Sequence, residues 1–211
     1  MKRETPKDRP LSMTGILVQA TAEERKQRTR RVAKLPQDAH AHFVGATHQQ
    51  GNLWRFDFDD RPALLVRCPY GQIGDRLWLK ETWAPCGDAG ARYYRAGTPL
   101  FRQGLLVGWV VGSKPDGVRW RPGRFMPRWA SRFKVEITHL WPEPLQAISE
   151  EEARLEGTEL WLEADPPEHK YCCIRHAFVA LWDTVNAGRG FPWAFNPVVW
   201  VVGYKLMKDW R

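Results

Sequence analysis

Residues 196 to 207 read NPVVWVVGYKLM. Val198 to Val202 are apolar without a break, β-branched except for one Trp, and bounded by Pro197 and Gly203. A short apolar run between such breakers reads as a buried strand. Other segments carry a weaker, alternating form of the same signal. In SRFKVEITHLWPEPL (131–145), Phe133, Val135 and Ile137 alternate with Lys134, Glu136 and Thr138. In GQIGDRLWLKETW (71–83), Gly74 and Asp75 supply turn chemistry. Leu77, Leu79 and Glu81 then alternate with Trp78, Lys80 and Thr82. Both patterns predict strands with two different faces.

Helical signals are fewer. ILVQATAEERK (16–26) predicts a short helix with Ile16, Leu17 and Ala20 on one side and charge on the other. ISEEEARLEG (148–157) carries a capping box, Ser149 with Glu152, and a glycine stop at Gly157. Residues 168 to 187 predict the longest helix, striped by Ile174, Phe178, Leu181 and Val185. Thr29 to Val32 predicts a further strand, and residues 34 to 62, with the polar HQQGN, a hairpin or excursion. Residues 1 to 10 read as a polar, mobile lead. Residues 85 to 125, rich in Gly, Pro and Arg around LLVGWVVG, read as an insertion with a strand or hairpin of its own. No internal repeat is present. The expectation is one α+β domain over residues 1–211, built round a small barrel or curved sheet.

The chain has 211 residues, of which 43% are hydrophobic, so it can bury a sizeable core. Lys and Arg total 32 against 24 acids, a net charge of +8 that favours an anionic partner such as nucleic acid. Twelve Trp supply apolar area for a core or for stacking surfaces. No apolar run approaches the roughly 20 residues of a membrane span. Four cysteines, at 68, 86, 172 and 173, are too few for a disulfide framework. A reduced cytoplasmic protein, not attached to a membrane, is the simplest expectation.

Three stretches raise chemical questions. HKYCCIRH places His169, Cys172, Cys173 and His176 at i, i+3, i+4 and i+7. These are zinc ligand types. On one helix, however, the span is about 10 Å, too long for four ligands round one ion. No metal and no cofactor are expected. The acids of SEEEARLEG suit the helix N-terminus, except Glu156, which stands at the wrong end of the dipole. EERKQRTRR (23–31) reads as a solvated charge run or phosphate-contacting patch. It also reads as a site in which Lys26 activates the Thr29 hydroxyl. The residues alone leave both readings open. G-x-S-x-G, P-loop and H-E-x-x-H motifs are all absent, which counts against several large enzyme classes.

Six segments occur in an order that resembles the ASCH (activating signal cointegrator homology) family in its phage and prophage branch. They are RPLSMTGILVQATAEERKQRTRRV, GQIGDRLWLKETWAP, MPRWASRFKVEITHL, LQAISEEEARLEG, FVALWDTVN and NPVVWVVGYK. The likeness weakens at 36–66 and 85–120. It implies a PUA-like fold, a small mixed β-barrel with flanking helices, here with an insertion, and a cleft suited to RNA or a nucleobase. One branch of that family, the bacterial N4-acetylcytidine amidohydrolases, carries a lysine and a threonine three residues apart after the first helix, and a late glutamate. These fall on Lys26, Thr29 and Glu156. The threonine that follows the lysine in that branch is Gln27 here, and the insertion is a second departure.

The implied function is removal of an acyl group from the exocyclic amine of a modified nucleoside, most simply N4-acetylcytidine. Thr29 is the implied nucleophile, Lys26 its activator or the oxyanion's partner, and Glu156 the proton shuttle. Trp83 and Trp129 are candidates to stack a base. Glu81 and Arg132 are candidates to brace the cleft, and Arg30, Arg31, Arg128 and Arg132 to meet ribose or phosphate. Other ASCH proteins bind RNA or act as nucleases. A non-catalytic RNA- or DNA-binding module and a ribonuclease are therefore the alternatives, with RNA or single-stranded nucleic acid as the partner.

Overall fold

The strand expected at the C-terminus is the centre of the molecule. In the computed structural model, residues 5–86, 91–102, 105–110, 119–159 and 171–207 are described. Five strands form the main sheet: β1 (Asp8–Ser12), β2 (Arg28–Val32), β6 (Arg76–Lys80), β11 (Lys134–Pro144) and β12 (Val198–Leu206). Their order is β1-β6-β11-β12-β2, with β1 and β6 parallel and the other pairs antiparallel. Along β12, Val198, Trp200, Val202 and Tyr204 enter one core cluster, while Val199 and Val201 enter another. The unbroken apolar run is thus a strand covered on both faces.

The first face packs against a hairpin sheet, β3 (Phe43–Gln50), β4 (Leu53–Phe58) and β5 (Leu64–Arg67), in that order. Trp200 meets Trp54 and Phe56 edge-on, with ring centroids 5.9 and 5.3 Å apart. Each such aromatic pair adds about 0.5–1.5 kcal/mol to simple burial. Leu77, Leu79, Phe133, Val135 and Ile137 fill the same core, so the alternation in β6 and β11 was correctly signalled by sequence. The second face carries two helices, α2 (Glu150–Leu155) and α3 (Ile174–Asn186), which supply Ala153, Phe178 and Trp182. The capping box of α2 forms: Ser149 accepts from the Glu152 amide, and Glu152 accepts from the Ser149 amide.

Within residues 85–125, β7 (Trp83–Cys86) pairs with β8 (Ala91–Tyr94), and β9 (Thr98–Arg102) pairs with β10 (Leu105–Val110). A bridge between Trp83 and Arg121 ties the two ends of this region together.

Several expectations are corrected. The main sheet is not a closed barrel among the described residues. Its edge strands β1 and β2 form no ladder with each other and are joined in sequence by α1 (Gly15–Ala22), whose Val18 enters the core. Residues 8 to 10 are not a mobile lead but the first three of the five residues of β1. That strand is held by backbone pairing and by Arg9, which donates to Asp75 at 2.5 Å, neither of which an apolar pattern reveals. The first helix stops at Ala22 and does not run to Lys26. Glu24 takes a left-handed φ of 60°, and the amides of Arg25 and Lys26 both donate to the Ala20 carbonyl. A non-glycine residue in that region costs roughly 1–2 kcal/mol. The long helix begins at Ile174, later than expected, and Val185 on its apolar stripe is exposed.

Trp200, 1% exposed, projects from β12 into the main core against Trp54 and Phe56 of the hairpin. Trp200→Ala is expected to lower the unfolding free energy by about 3–5 kcal/mol. Urea denaturation followed by fluorescence and circular dichroism measures this.

Candidate functional site

The early end of α1 turns Lys26 inward. Its backbone bridges to Glu156, the C-terminal residue that closes α2. Its Nζ donates to the Glu156 carboxylate at 2.8 Å, to the Glu156 carbonyl at 2.7 Å and to the Arg28 carbonyl at 2.8 Å. Three acceptors match the three N–H bonds of an ammonium. Lys26 is 2% exposed and Glu156 4%. Burial lowers the Lys26 pKa from the usual 10.5, and the Glu156 charge opposes that shift without cancelling it.

Gly157 makes this approach possible. It takes a φ of +77°, and a Cβ there would stand 3.0 Å from the Cβ atoms of both Ala20 and Lys26. Glycine therefore serves as the helix stop and as the space that admits the lysine.

Thr29 lies on β2, paired with Val202, and is 3% exposed. Its hydroxyl makes no hydrogen bond to another described residue. A pocket of about 50 Å³ is lined by Thr29, Lys26 and Glu156, with Arg30 and Arg31. Leu17 of α1 and Phe178, Leu181, Trp182, Val185 and Asn186 of α3 complete its wall. Lys26, Thr29 and Glu156, two of them 130 residues apart, thus face one small, mainly apolar space.

The arginines of β2 divide by the direction in which they point. Arg30 has no exposed side-chain surface. It bonds Glu143 at 2.6 Å, Glu152 at 2.9 Å and Glu156 at 3.3 Å. Arg28 bonds Glu152 at 2.6 Å and lies over the Trp141 ring. Arg30 is therefore the hub of an acidic cluster and has no open side for ribose or phosphate. Sequence reading missed this cluster because its acids, Glu143 and Glu152, come from β11 and α2. Arg31 points to the opposite side of β2, where its Nη2 donates to the Ser12 carbonyl.

The remaining candidates lie elsewhere. Arg132 forms a two-pronged pair with Glu81 at 2.7 and 2.8 Å and reaches the Gly97 carbonyl. Its guanidinium lies over Tyr94. Burial raises the Glu81 carboxyl pKa against the pull of Arg132. This pair braces residues 94 to 97 of the insertion and does not line the Thr29 pocket. Trp83 is 2% exposed, packed with Met126 and Ala130 beneath Arg121, so it gives a base no open face. Trp129 is 62% exposed and stands edge-on to Trp83, with Arg92 over its ring. Arg128 is exposed and paired with Asp8. Neither Trp129 nor Arg128 borders the pocket.

Cys172 and Cys173 precede α3 and do not lie on it, so the helical-spacing argument against a metal does not apply to them. Their sulfurs and a nitrogen of His176 lie within 4.8 Å of one another. His169 lies outside the described residues.

Among the described residues, no helix is long and apolar enough to cross a membrane. No family model, curated protein or solved structure matches the chain.

Arg30 holds three carboxylates, one of which belongs to the Lys26 pair. Arg30→Met removes the cation shared by the three carboxylates, leaving Glu152 to Arg28, Glu156 to Lys26 and Glu143 to the Trp141 N–H, and is expected to cost about 3–5 kcal/mol of stability. Thermal and urea unfolding would show it. A loss below about 1 kcal/mol would mean that the acids find other partners.

Proposed function

We propose that the chain is an ASCH-type domain that hydrolyses the amide of an N4-acylated cytosine, with Lys26, Thr29 and Glu156 as the catalytic set. The observation that carries this reading is the pocket that all three border, with the Lys26–Glu156 pair buried and the Thr29 hydroxyl unengaged. The pocket has a volume of about 50 Å³, and the acyl group is its proposed occupant.

The chemistry balances without a cofactor. In the resting pair, Lys26 is an ammonium and Glu156 a carboxylate. Burial lowers the Lys26 pKa, and in the proposed cycle one proton passes across their 2.8 Å contact, which leaves a neutral amine and a carboxylic acid. The amine takes the Thr29 proton as Oγ1 attacks the amide carbon. The tetrahedral oxyanion collapses, the C–N bond breaks, and Glu156 protonates the departing cytosine amine. Lys26 is again an ammonium, Glu156 a carboxylate, and Thr29 carries the acyl group as an ester. Water then attacks the ester by the same proton route, releasing acetate and restoring Thr29. The likeness of the ILVQATAEERKQRT segment to the amidohydrolase branch supports this reading, and Gln27 marks the difference from it.

Incubation with N4-acetylcytidine, followed by chromatography, tests it. The wild type is expected to release cytidine. Thr29→Ala and Glu156→Gln are expected to lower kcat by about 10²–10⁴. Absence of cytidine from the wild type, with RNA binding kept in both variants, would leave a non-catalytic nucleic-acid-binding module instead.

The active pair holds one proton. Losing it removes the acid that the leaving amine needs. Because burial lowers the Lys26 pKa, the alkaline fall of kcat/KM is expected below the ordinary lysine value of 10.5. A profile that stays flat to that pH would contradict the proton-sharing pair.

A further inference from the structure

A second, larger cleft opens beside the Thr29 pocket. Its volume is about 690 Å³, and the two spaces share Arg31 and Asn186 as lining residues. Its wall comes from the end of β2, from Tyr70 and from the chain that follows α3. Arg31, Lys34 and Arg189 are its three cations, and no carboxylate lines it.

This absence of acids sets the cleft apart from its surroundings. Arg28 and Arg30, on the same strand, are each matched by glutamates. Among the described residues, Arg31, Lys34 and Arg189 form no ion pair with any acid. Arg31 is also incompletely satisfied. Its Nη2 donates to Ser12, but its Nε is shut off from solvent and has no partner. A guanidinium N–H without an acceptor is destabilising, and an anionic oxygen is the acceptor that suits a guanidinium best. Arg189 donates to Asn186 at 3.3 Å, which keeps it at the shared wall. Tyr70, Arg31 and Arg189 all line the cleft. The Tyr70 phenol is raised by burial and pulled back by the charge of the two arginines.

We infer that this cleft binds a phosphate group carried by the substrate's ribose, so that the substrate is a nucleotide or a strand and not a free nucleoside. The position of the base rests on the hydrolase proposed above: the acyl group enters the small pocket and the rest of the nucleotide fills the large cleft. The phosphate site itself rests on the three cations, none paired with an acid, that line a cleft without carboxylates. Tyr70 and Phe191, both lining the cleft, supply aromatic surface beside the charge.

The test is calorimetric titration of the Thr29→Ala protein, which cannot form the acyl ester, with cytidine, CMP and the trinucleotide UCU lacking terminal phosphates. CMP, UCU or both are expected to bind at least about tenfold more tightly than cytidine, and raised salt is expected to shrink that advantage. CMP alone showing it identifies a mononucleotide; UCU showing it identifies a strand. In Lys34→Gln/Arg189→Gln, whose two positions lie outside the small pocket, the advantage is expected to vanish while cytidine affinity stays unchanged. Unchanged thermal melting shows that this variant folds. Equal affinity for all three ligands, no binding of any, or an advantage that survives in the double variant would overturn the inference. If the phosphate advantage stands but N4-acetylcytidine and its 5′-monophosphate are both left intact by the wild type, the phosphate site holds and the hydrolase falls. If N4-acetylcytidine is cleaved with no gain from a phosphate, the reverse is true.

Discussion

The buried contact between Lys26 and Glu156 organises this molecule around it. An ammonium out of water needs every N–H matched, and the fold supplies three oxygens, two of them from one residue. To deliver those oxygens, α2 must end where β2 begins, and α1 must stop four residues before Lys26. The left-handed backbone at Glu24 and the glycine at 157 are local costs of that arrangement. Arg30 then balances the remaining charge by holding Glu143, Glu152 and Glu156 together. A buried pair of this kind is weak evidence of stability by itself, because both charges lose their hydration. It lies beside an unengaged hydroxyl, which is the basis of the proton-transfer role proposed for it.

The charge run of β2 and its approach sorts itself by strand geometry. Successive side chains on a strand point to opposite faces. Arg28 and Arg30 therefore meet the acids of α2 and β11, while Arg31, on the other face, borders both spaces. In a run that looks uniformly basic, Arg25, Lys26, Arg28 and Arg30 are each matched by a glutamate and Arg31 is not. The net charge of +8 gives no hint of this division, because it counts all five alike.

What was legible in the sequence follows from what burial writes into it. β6, β11 and β12 bury apolar residues with a period of two or on both faces, and the pattern marks them. The capping box of α2 is equally local and equally readable. β1 is not, because DRPLS holds one buried apolar residue and its partners are backbone atoms of β6. The stop of α1 at Ala22 was hidden, since nothing about glutamate signals a left-handed turn. The candidate set itself was reached through a family likeness. The burial of Lys26 depends on a carboxylate 130 residues away, and no window of sequence contains both. Trp83 shows the opposite difficulty. Core indoles and stacking indoles are the same residue, and only packing separates them.

Glu150 has a role that its place in an acidic helix start conceals. Its carboxylate crosses from α2 to accept the amides of Ile174 and Arg175, at 2.7 and 3.0 Å, at the start of α3. Those hydrogen bonds hold its pKa below the usual carboxylate range. α2 ends in Glu156, and α3 roofs the pocket with Phe178, Leu181 and Trp182. The wall bearing Glu156 and the wall shielding it are thus clamped as a single jaw. Separating them would strand two helix-terminal amides, and Glu152 and Glu156 bind the same jaw to β2 and its approach, so the helices are held to the sheet as one unit.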